Sequence, residues 1–477
     1  MRRTKILATI GPASESKDML RKMLDAGLNA VRCNFSHGTA DNHRERVQLI
    51  REVAKEKGLY IGILADLQGP KIRVAKFKNG KVILQNGDSF ILDAEMDKSA
   101  GDEKSVGIDY KELPNDVKKG DMLLLDDGKI VLTVAKVDGT KVYCKVTVGG
   151  NLSNNKGINK KGGGLTAPAL TEKDKEDIKT TAALKVDYVA VSFPRDAADI
   201  KYARQLLLES GSNAGVIAKI ERTEAVTNIE DIIKASDGIM VARGDLAVEI
   251  GDENVPAVQK MIIRLTRELD KVVITATQMM ESMITSSTPT RAEVSDVANA
   301  VLDGTDVVML SAESAAGNYP VETVASMARI CEAAENSTLL HIVSKENVTL
   351  QHDRVDEAVA SAAVYLANHV DAKAIISLTE SGSTVLWMSR INTHLPIYAL
   401  SRNNLTLGKM TLYRGVVPIK FDSTSMARFY VNREASLELE KRGIVKCGDW
   451  MVLTSGDHMG VHGGTNKIKV IQAGNVV

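Results

Sequence analysis

At 477 residues the chain is too long for one ordinary core, and its 44% hydrophobic content is that of a globular protein, so two to four structural units are expected. The 61 basic and 61 acidic residues cancel, which excludes a global field for holding nucleic acid or an anionic membrane. With only 4% aromatic residues there is little for base stacking, so any anionic ligand must be held by a local site.

In chain order, short β-branched runs recur at Lys5 to Ile10, Ala30 to Asn34, Ile61 to Asp66, Asp187 to Val191, Gly215 to Lys219, Gly238 to Ala242, Val272 to Ala276 and Asp306 to Leu310. Amphipathic segments such as Lys17 to Ala26, Thr39 to Lys57, Ala197 to Ser210 and Val255 to Asp270 lie between them. Eight strand-helix repeats predict a (β/α)8 barrel, with its site in the loops at the carboxyl ends of the strands. From Lys71 to Ala167 the rhythm changes to short alternating strands with turn signals at Asn79-Gly80, Asn86-Gly87, Asp127-Gly128 and Asp138-Gly139. This predicts an inserted all-β domain, joined through Gly69-Pro70 and Gly162-Gly163-Gly164 and placed to close over the mouth as a lid. After His341, a helix at Val355 to His369 and runs at Ala374 to Leu378, Trp450 to Thr454 and Lys467 to Ile471 predict an open α/β domain. The fold class is thus α/β, with expected domains of 1–70 plus 168–340, 71–167 and 341–477.

The cysteines Cys33, Cys144, Cys331 and Cys447 have no zinc or disulfide spacing, and the start of the chain has no signal-peptide core, so a reduced, cytoplasmic setting is expected. No apolar run approaches the length of a membrane span.

The chemistry concentrates at the strand ends. The fifth strand delivers Lys219 and Glu221, and the sixth delivers Arg243-Gly244-Asp245. The second ends in Arg32-Cys33-Asn34-Phe35-Ser36-His37-Gly38, the third in Asp66-Leu67-Gln68-Gly69-Pro70-Lys71-Ile72-Arg73, and the seventh in Thr275-Ala276-Thr277-Gln278. Arg32, Arg73 and Lys219 can neutralise phosphate oxygens, Glu221 and Asp245 can hold a divalent ion, and the Gly244 amide can approach a ligand with no side chain in the way. The plainer reading of Lys219 and Glu221 is an ion pair at a barrel rim. His37 reads as a turn histidine in preference to a catalytic acid, Met279, Met280 and Met283 as core, and Glu172 to Lys179 as a solvated helix face.

Six segments, Arg32 to Gly38, Asp66 to Arg73, Lys219-Ile220-Glu221, Met240 to Glu249, Ala276 to Met283 and Pro289 to Glu313, stand in the order found in pyruvate kinases, which the chain resembles over its full length. The resemblance implies transfer of the phosphoryl group of phosphoenolpyruvate to ADP, then protonation of the enolate to give pyruvate and ATP. It implies Mg2+ or Mn2+ on Glu221 and Asp245, and Lys219 on the moving phosphoryl group. Arg32 would bind phosphate, the backbone of Gly244 and Asp245 the substrate carboxylate, and Thr277 would help to place the proton donor. Asn34, Arg73 and, from the lid, Lys156 match nucleotide-binding positions. Arg291 either resembles the family's tetramer contact or simply starts a helix, and a homotetramer is the expected assembly.

Cys33, Ala247 and Ser314 depart from the family's frequent methionine, glycine and threonine without evident consequence. Lys71 is the larger departure, because most members carry glutamate there and need K+, held by residues matching Asn34, Ser36, Asp66 and the Leu67 carbonyl. The chain resembles a branch with lysine at this position, whose tethered ammonium could take the ion's electrostatic role, so K+ independence is expected. Thr379, Glu380, Ser381, Gly382, Ser383 and Thr384 follow a strand and open a helix; they read as an N-cap or, as in the matching family loop, a site for a phosphorylated allosteric effector. The competing enzyme reading is a metal-dependent lyase or aldolase on pyruvate-like enolates, and the non-enzymatic one is a barrel kept as a metabolite sensor.

Overall fold

A computed structural model describes residues 1–337, 352, 354–457 and 463–475. The strands Lys5–Thr9, Ala30–Asn34, Gly62–Asp66, Tyr188–Val191, Gly215–Ile220, Gly238–Ala242, Val272–Ala276 and Val307–Leu310 form a closed parallel barrel in sequence order. Several of the returning helices carry recognisable starts. Ser16 caps Lys17–Asp25, and Thr39 and Thr290 form capping boxes at Ala40–Glu56 and Arg291–Leu302.

Burial sorts the strand residues. Val31, Ile63, Val189 and Val216 face the surrounding helices, packed with Val47, Ile50, Ile178 and Ile200. Leu7, Leu64, Tyr188, Ile217 and Met240 belong to a second buried cluster that continues into Ala360, Ala363, Val364 and Ile375 of the C-terminal region. The barrel and the C-terminal domain thus share a core, and the Tyr188 hydroxyl donates to the Lys409 carbonyl at 2.9 Å across it.

The interval after the third strand is built of β-strands apart from the one-turn helix Leu113–Asp116: a six-stranded sheet, with Lys81–Leu84 pairing separately with Gly150–Ser153. Asp138-Gly139 connects Ile130–Asp138 to its antiparallel partner Lys141–Val148 as a hairpin, with Gly139 at φ 58°. Asn86-Gly87 also turns the chain, but the strands on either side take other partners. The C-terminal domain is a five-stranded sheet with four parallel strands and Thr465–Gln472 added antiparallel. The boundary expected at residues 340 and 341 lies outside the described residues, as does the final Val477. Among the described residues no helix is long and apolar enough to cross a membrane.

Met279, Met280 and Met283 are wholly buried in the barrel core. Helix Glu172–Leu184 differs in part from the solvated face expected of it. Asp174 turns inward, fully buried, capping its own helix and accepting a 3.1 Å hydrogen bond from the Gly69 amide. Arg291 is the first residue of its helix and is exposed. His37 lies exposed in a turn, its amide donating to the Asn34 carbonyl at 3.4 Å.

Candidate active site at the barrel mouth

Parallel register brings the strand ends together: Asn34 stands beside Asp66, Asp66 beside Ala190, and Lys219 beside Met240. Lys219 is the hub. Its Nζ lies 2.9 Å from Glu221 Oε1 and 3.3 Å from Asp66 Oδ1, and donates to Ser192 Oγ at 2.7 Å. Burial opposes the ammonium charge, but Asp66 and Glu221 outweigh it and hold the Lys219 pKa above its ordinary value. Arg32 completes a cationic edge: its Nε donates to Asp66 Oδ2 at 2.6 Å, and its Nη1 to Thr9 Oγ1 at 3.0 Å. Burial would raise the Asp66 carboxyl, yet Lys219 and Arg32 together keep it below the usual carboxylate range.

Glu221 behaves differently although it touches the same lysine. Burial pushes its pKa up, Lys219 offsets that only in part, and Asp245 pushes it up further. Two carboxylates therefore repel each other across the mouth, and a divalent cation between them would relieve that repulsion. Among the described residues no group of three or more His, Cys, Asp or Glu side chains forms a metal cage. Glu221 and Asp245 would supply two ligands and leave the remaining positions to substrate oxygens and water, which suits Mg2+.

The sixth strand runs straight into helix Arg243–Ile250, so the Gly244 and Asp245 amides lie in its first turn, where backbone N–H groups favour an anion. The Gly244 amide donates to Thr277 Oγ1 at 2.9 Å, and that hydroxyl donates to the Ala276 carbonyl at 2.7 Å. Thr277 and Gln278 both have left-handed backbone, with φ of 64° and 53°. Sequence reasoning left Arg243 without a role. It is buried and reaches the Thr277 carbonyl at 2.7 Å while pairing with both oxygens of Asp296 at 2.7 and 2.6 Å, so it braces the strained turn. Lys71 Nζ lies 3.5 Å from Asp245 Oδ1.

On the side of the inserted β domain, Arg73 and Lys156 lie on adjoining segments: Arg73 bridges to Gly157, and its Nη1 donates to the Asn155 carbonyl at 3.1 Å. Lys156 Nζ is 2.7 Å from Asp126 Oδ1. A cleft between the inserted β domain and the barrel is lined by Lys71, Asn159, Phe193, Arg222, Asp245 and Glu249. Of the group expected around a monovalent ion, Asn34 Oδ1 accepts from the Ser36 amide at 3.1 Å, and the Leu67 carbonyl accepts from Ser192 Oγ at 2.8 Å.

Far along the chain, Thr379 Oγ1 accepts from the Gly382 amide at 2.9 Å, and the Ser381 and Ser383 hydroxyls are 3.0 Å apart. The Thr384 hydroxyl is engaged by Thr465 at 2.7 Å, and Glu380 pairs with Arg402 at 3.3 Å.

A closed parallel barrel that gathers lysine, arginine and carboxylates at the carboxyl ends of its strands defines a barrel enzyme for an anionic substrate. Family comparison makes this specific. Residues 1–324 match the pyruvate kinase barrel domain, and residues 357–471 match the pyruvate kinase alpha/beta domain. The chain is 55% identical over 475 residues to pyruvate kinase II of Salmonella typhimurium, covering 99% of this chain and 98% of that one. It is 54% identical over 476 residues to a pyruvate kinase of Buchnera aphidicola subsp. Acyrthosiphon pisum, covering 99% of each. It is also 55% identical over 460 residues to a pyruvate kinase of Haemophilus influenzae, covering 96% of each. The chain belongs to the pyruvate kinase family. It is a glycolytic phosphotransferase whose substrates and products are phosphoenolpyruvate, ADP, ATP and pyruvate, in a family that generally uses Mg2+.

Proposed function

We propose that phosphoryl transfer takes place around Lys219 and that it proceeds without K+. The observation that carries the reading is the placement of the Lys219 ammonium, within 3.3 Å of both Asp66 and Glu221 and one carboxylate away from Arg32. Phosphoryl transfer needs positioning and charge compensation more than covalent participation. Arg32 and Lys219 neutralise the phosphoryl oxygens, and Lys219 also stabilises the enolate oxygen as it forms. The Gly244 and Asp245 amides bind the substrate carboxylate, and the Thr277 hydroxyl orients the group that protonates the enolate carbon. Arg73, Lys156 and Asn34 hold the nucleotide phosphates. Glu221 and Asp245 hold a divalent cation, which when bound supplies Lewis-acid polarisation of the substrate oxygens.

We read Lys71 as the mark of the lysine-bearing branch. Its ammonium next to Asp245 supports a built-in replacement for K+, as do the partners that Asn34, Asp66 and the Leu67 carbonyl already have within the chain. The test is turnover of phosphoenolpyruvate and ADP with Mg2+ in buffer free of sodium and potassium. Full turnover supports the reading, and negligible turnover restored by potassium refutes it.

We further propose that the enzyme works as a cytoplasmic homotetramer. Residues 1–70 with 168–340 form the catalytic unit, 71–167 a lid, and 341–477 a regulatory unit. Thr379, Ser381, Gly382, Ser383 and Thr384 bind a phosphorylated effector. The support is a hydroxyl-rich loop opening helix Ser383–Arg390. Titration with AMP and sugar monophosphates should shift the substrate saturation curve of the wild type and leave that of Ser381→Glu unmoved; equal responses refute the site.

A further inference from the structure

The two residues directly after the fourth strand, Ser192 and Phe193, touch Lys219 and Glu221. Ser192 is 1% exposed; its Oγ accepts from Lys219 Nζ at 2.7 Å and donates to the Leu67 carbonyl at 2.8 Å. Lys219 can only donate, so a hydroxyl lone pair faces it and the single hydroxyl proton is left for an acceptor. Two acceptors lie within reach, and the Leu67 carbonyl at 2.8 Å is much nearer than Asp66 Oδ1 at 3.5 Å, so the proton points at Leu67. The next amide, that of Phe193, donates to Glu221 Oε2 at 2.9 Å.

The backbone bends sharply to do this. Phe193 has φ 54°, a conformation unfavourable for a side chain with a β-carbon, which persists only where the surroundings over-determine it. Gly69 makes room for the bend: a β-carbon there would lie 2.8 Å from Ser192 Cβ and 3.1 Å from Phe193 Cδ2. The ends of the third, fourth and fifth strands thereby meet at Lys219 Nζ and Glu221 Oε2.

We infer that the Ser192–Phe193 turn is a positioning clamp, in which the Ser192 hydroxyl aims the Lys219 ammonium while anchoring it to Leu67, and the Phe193 amide orients Glu221. The inference rests on the reading of Lys219 and Glu221 as reacting-site residues. Ser192 acts through Lys219, so it is a positioning residue. Misdirecting Lys219 weakens an interaction made mostly in the transition state, while Arg32 and the Gly244 amide still bind the substrate, so the loss falls on kcat.

The experiment compares wild type with Ser192→Ala, Ser192→Cys, Ser192→Thr and Lys219→Met. Steady-state kinetics are measured together with the rate at which an amine-directed reagent labels Lys219, followed by mass spectrometry. Loss of a hydrogen bond to a charged group predicts a roughly ten- to hundredfold lower kcat for Ser192→Ala, with KM for phosphoenolpyruvate within about threefold of wild type. Lys219 labelling should accelerate in that variant, and Ser192→Thr should restore both the rate and the slow labelling. A folded Ser192→Ala enzyme with kcat within about twofold of wild type and unchanged labelling overturns the clamp. If the alanine variant does not fold, Ser192→Cys decides, since its thiol fills the space but bonds weakly; wild-type kcat there also overturns the clamp. An active Lys219→Met enzyme removes the reading beneath the inference. An inactive one beside a normal Ser192→Ala enzyme removes the clamp alone.

Discussion

Under the proposed K+-independent mechanism, reversing the charge at Lys71 should make turnover depend on potassium. Its Nζ lies 3.5 Å from Asp245 Oδ1, and the two side chains are 32% and 23% exposed. At that separation an effective dielectric of about 20 gives an attraction of ~5 kcal/mol before solvent screening. Partial exposure and salt screening cut this to about 0.5–1 kcal/mol, as for solvent-exposed pairs. Lys71→Glu exchanges the attraction for repulsion with Asp245, next to a Glu221 carboxyl that Asp245 already pushes up. Without a monovalent ion, turnover should drop about ten- to hundredfold. Potassium near 100 mM, a roughly physiological level, should restore most of the loss by supplying the missing positive charge. The assay is the initial rate of pyruvate formation against potassium concentration, for wild type and variant, at saturating phosphoenolpyruvate, ADP and Mg2+. A flat potassium response with full activity in Lys71→Glu would refute the reasoning, since the ammonium would then have no electrostatic part in the site.

The contact between the barrel and the C-terminal domain supports two more predictions. A β-carbon at Gly408 would lie 1.9 Å from Asp187 Oδ1, so Gly408→Ala should destabilise the folded protein by about 1–3 kcal/mol through overpacking, read as a lowered Tm. Asp187 itself, whose carboxylate accepts from the Ile63 amide at 2.8 Å, has its pKa pushed up to about 7 by burial. The folded pKa lies above the unfolded value of about 3.9, so the folded chain holds the extra proton between them. The stability contributed by that proton is complete below about pH 4 and is lost as pH rises through 7. Thermal melts from pH 5 to pH 8 should therefore fall more steeply in wild type than in Asp187→Asn, which keeps an acceptor for Ile63; parallel curves would exclude Asp187 as the cause.

Much of the barrel was legible because parallel strands buried on both faces read as short β-branched runs, and their last residues carry the charges. The observed strands start or stop within a residue of those runs; the fifth, for example, continues to Ile220. The C-terminal sheet was harder to read. Two of its strands, Ile397–Ser401 and Val416–Lys420, escaped notice. The latter contains Pro418, which argues against a strand until its edge position in the sheet is known. At the site, sequence order could nominate Lys219, Glu221 and Asp245 but not their supports. Arg243 and Asp296 meet only once the sixth strand and a later helix are packed, and Ser192 meets Lys219 only once the barrel closes. One signal was available: Ser192 directly follows a buried strand, the same position rule that singled out Glu221 and Arg243. Asp174, in a stretch as charged as any surface helix, could not be recognised as buried without the Gly69 amide it holds.

Lys219, set among Asp66, Glu221 and Ser192, is the proposed centre of phosphoryl transfer from phosphoenolpyruvate to ADP. The most direct measurement follows pyruvate and ATP together, with and without ADP, in wild type and Lys219→Met. Wild type should form pyruvate and ATP in equal amounts and only in the presence of ADP, and Lys219→Met should lose at least about a thousandfold in kcat, as expected when a main electrostatic stabiliser of the transition state is removed. Pyruvate released equally well without ADP, or a Lys219→Met enzyme with near wild-type kcat, would overturn that role for Lys219.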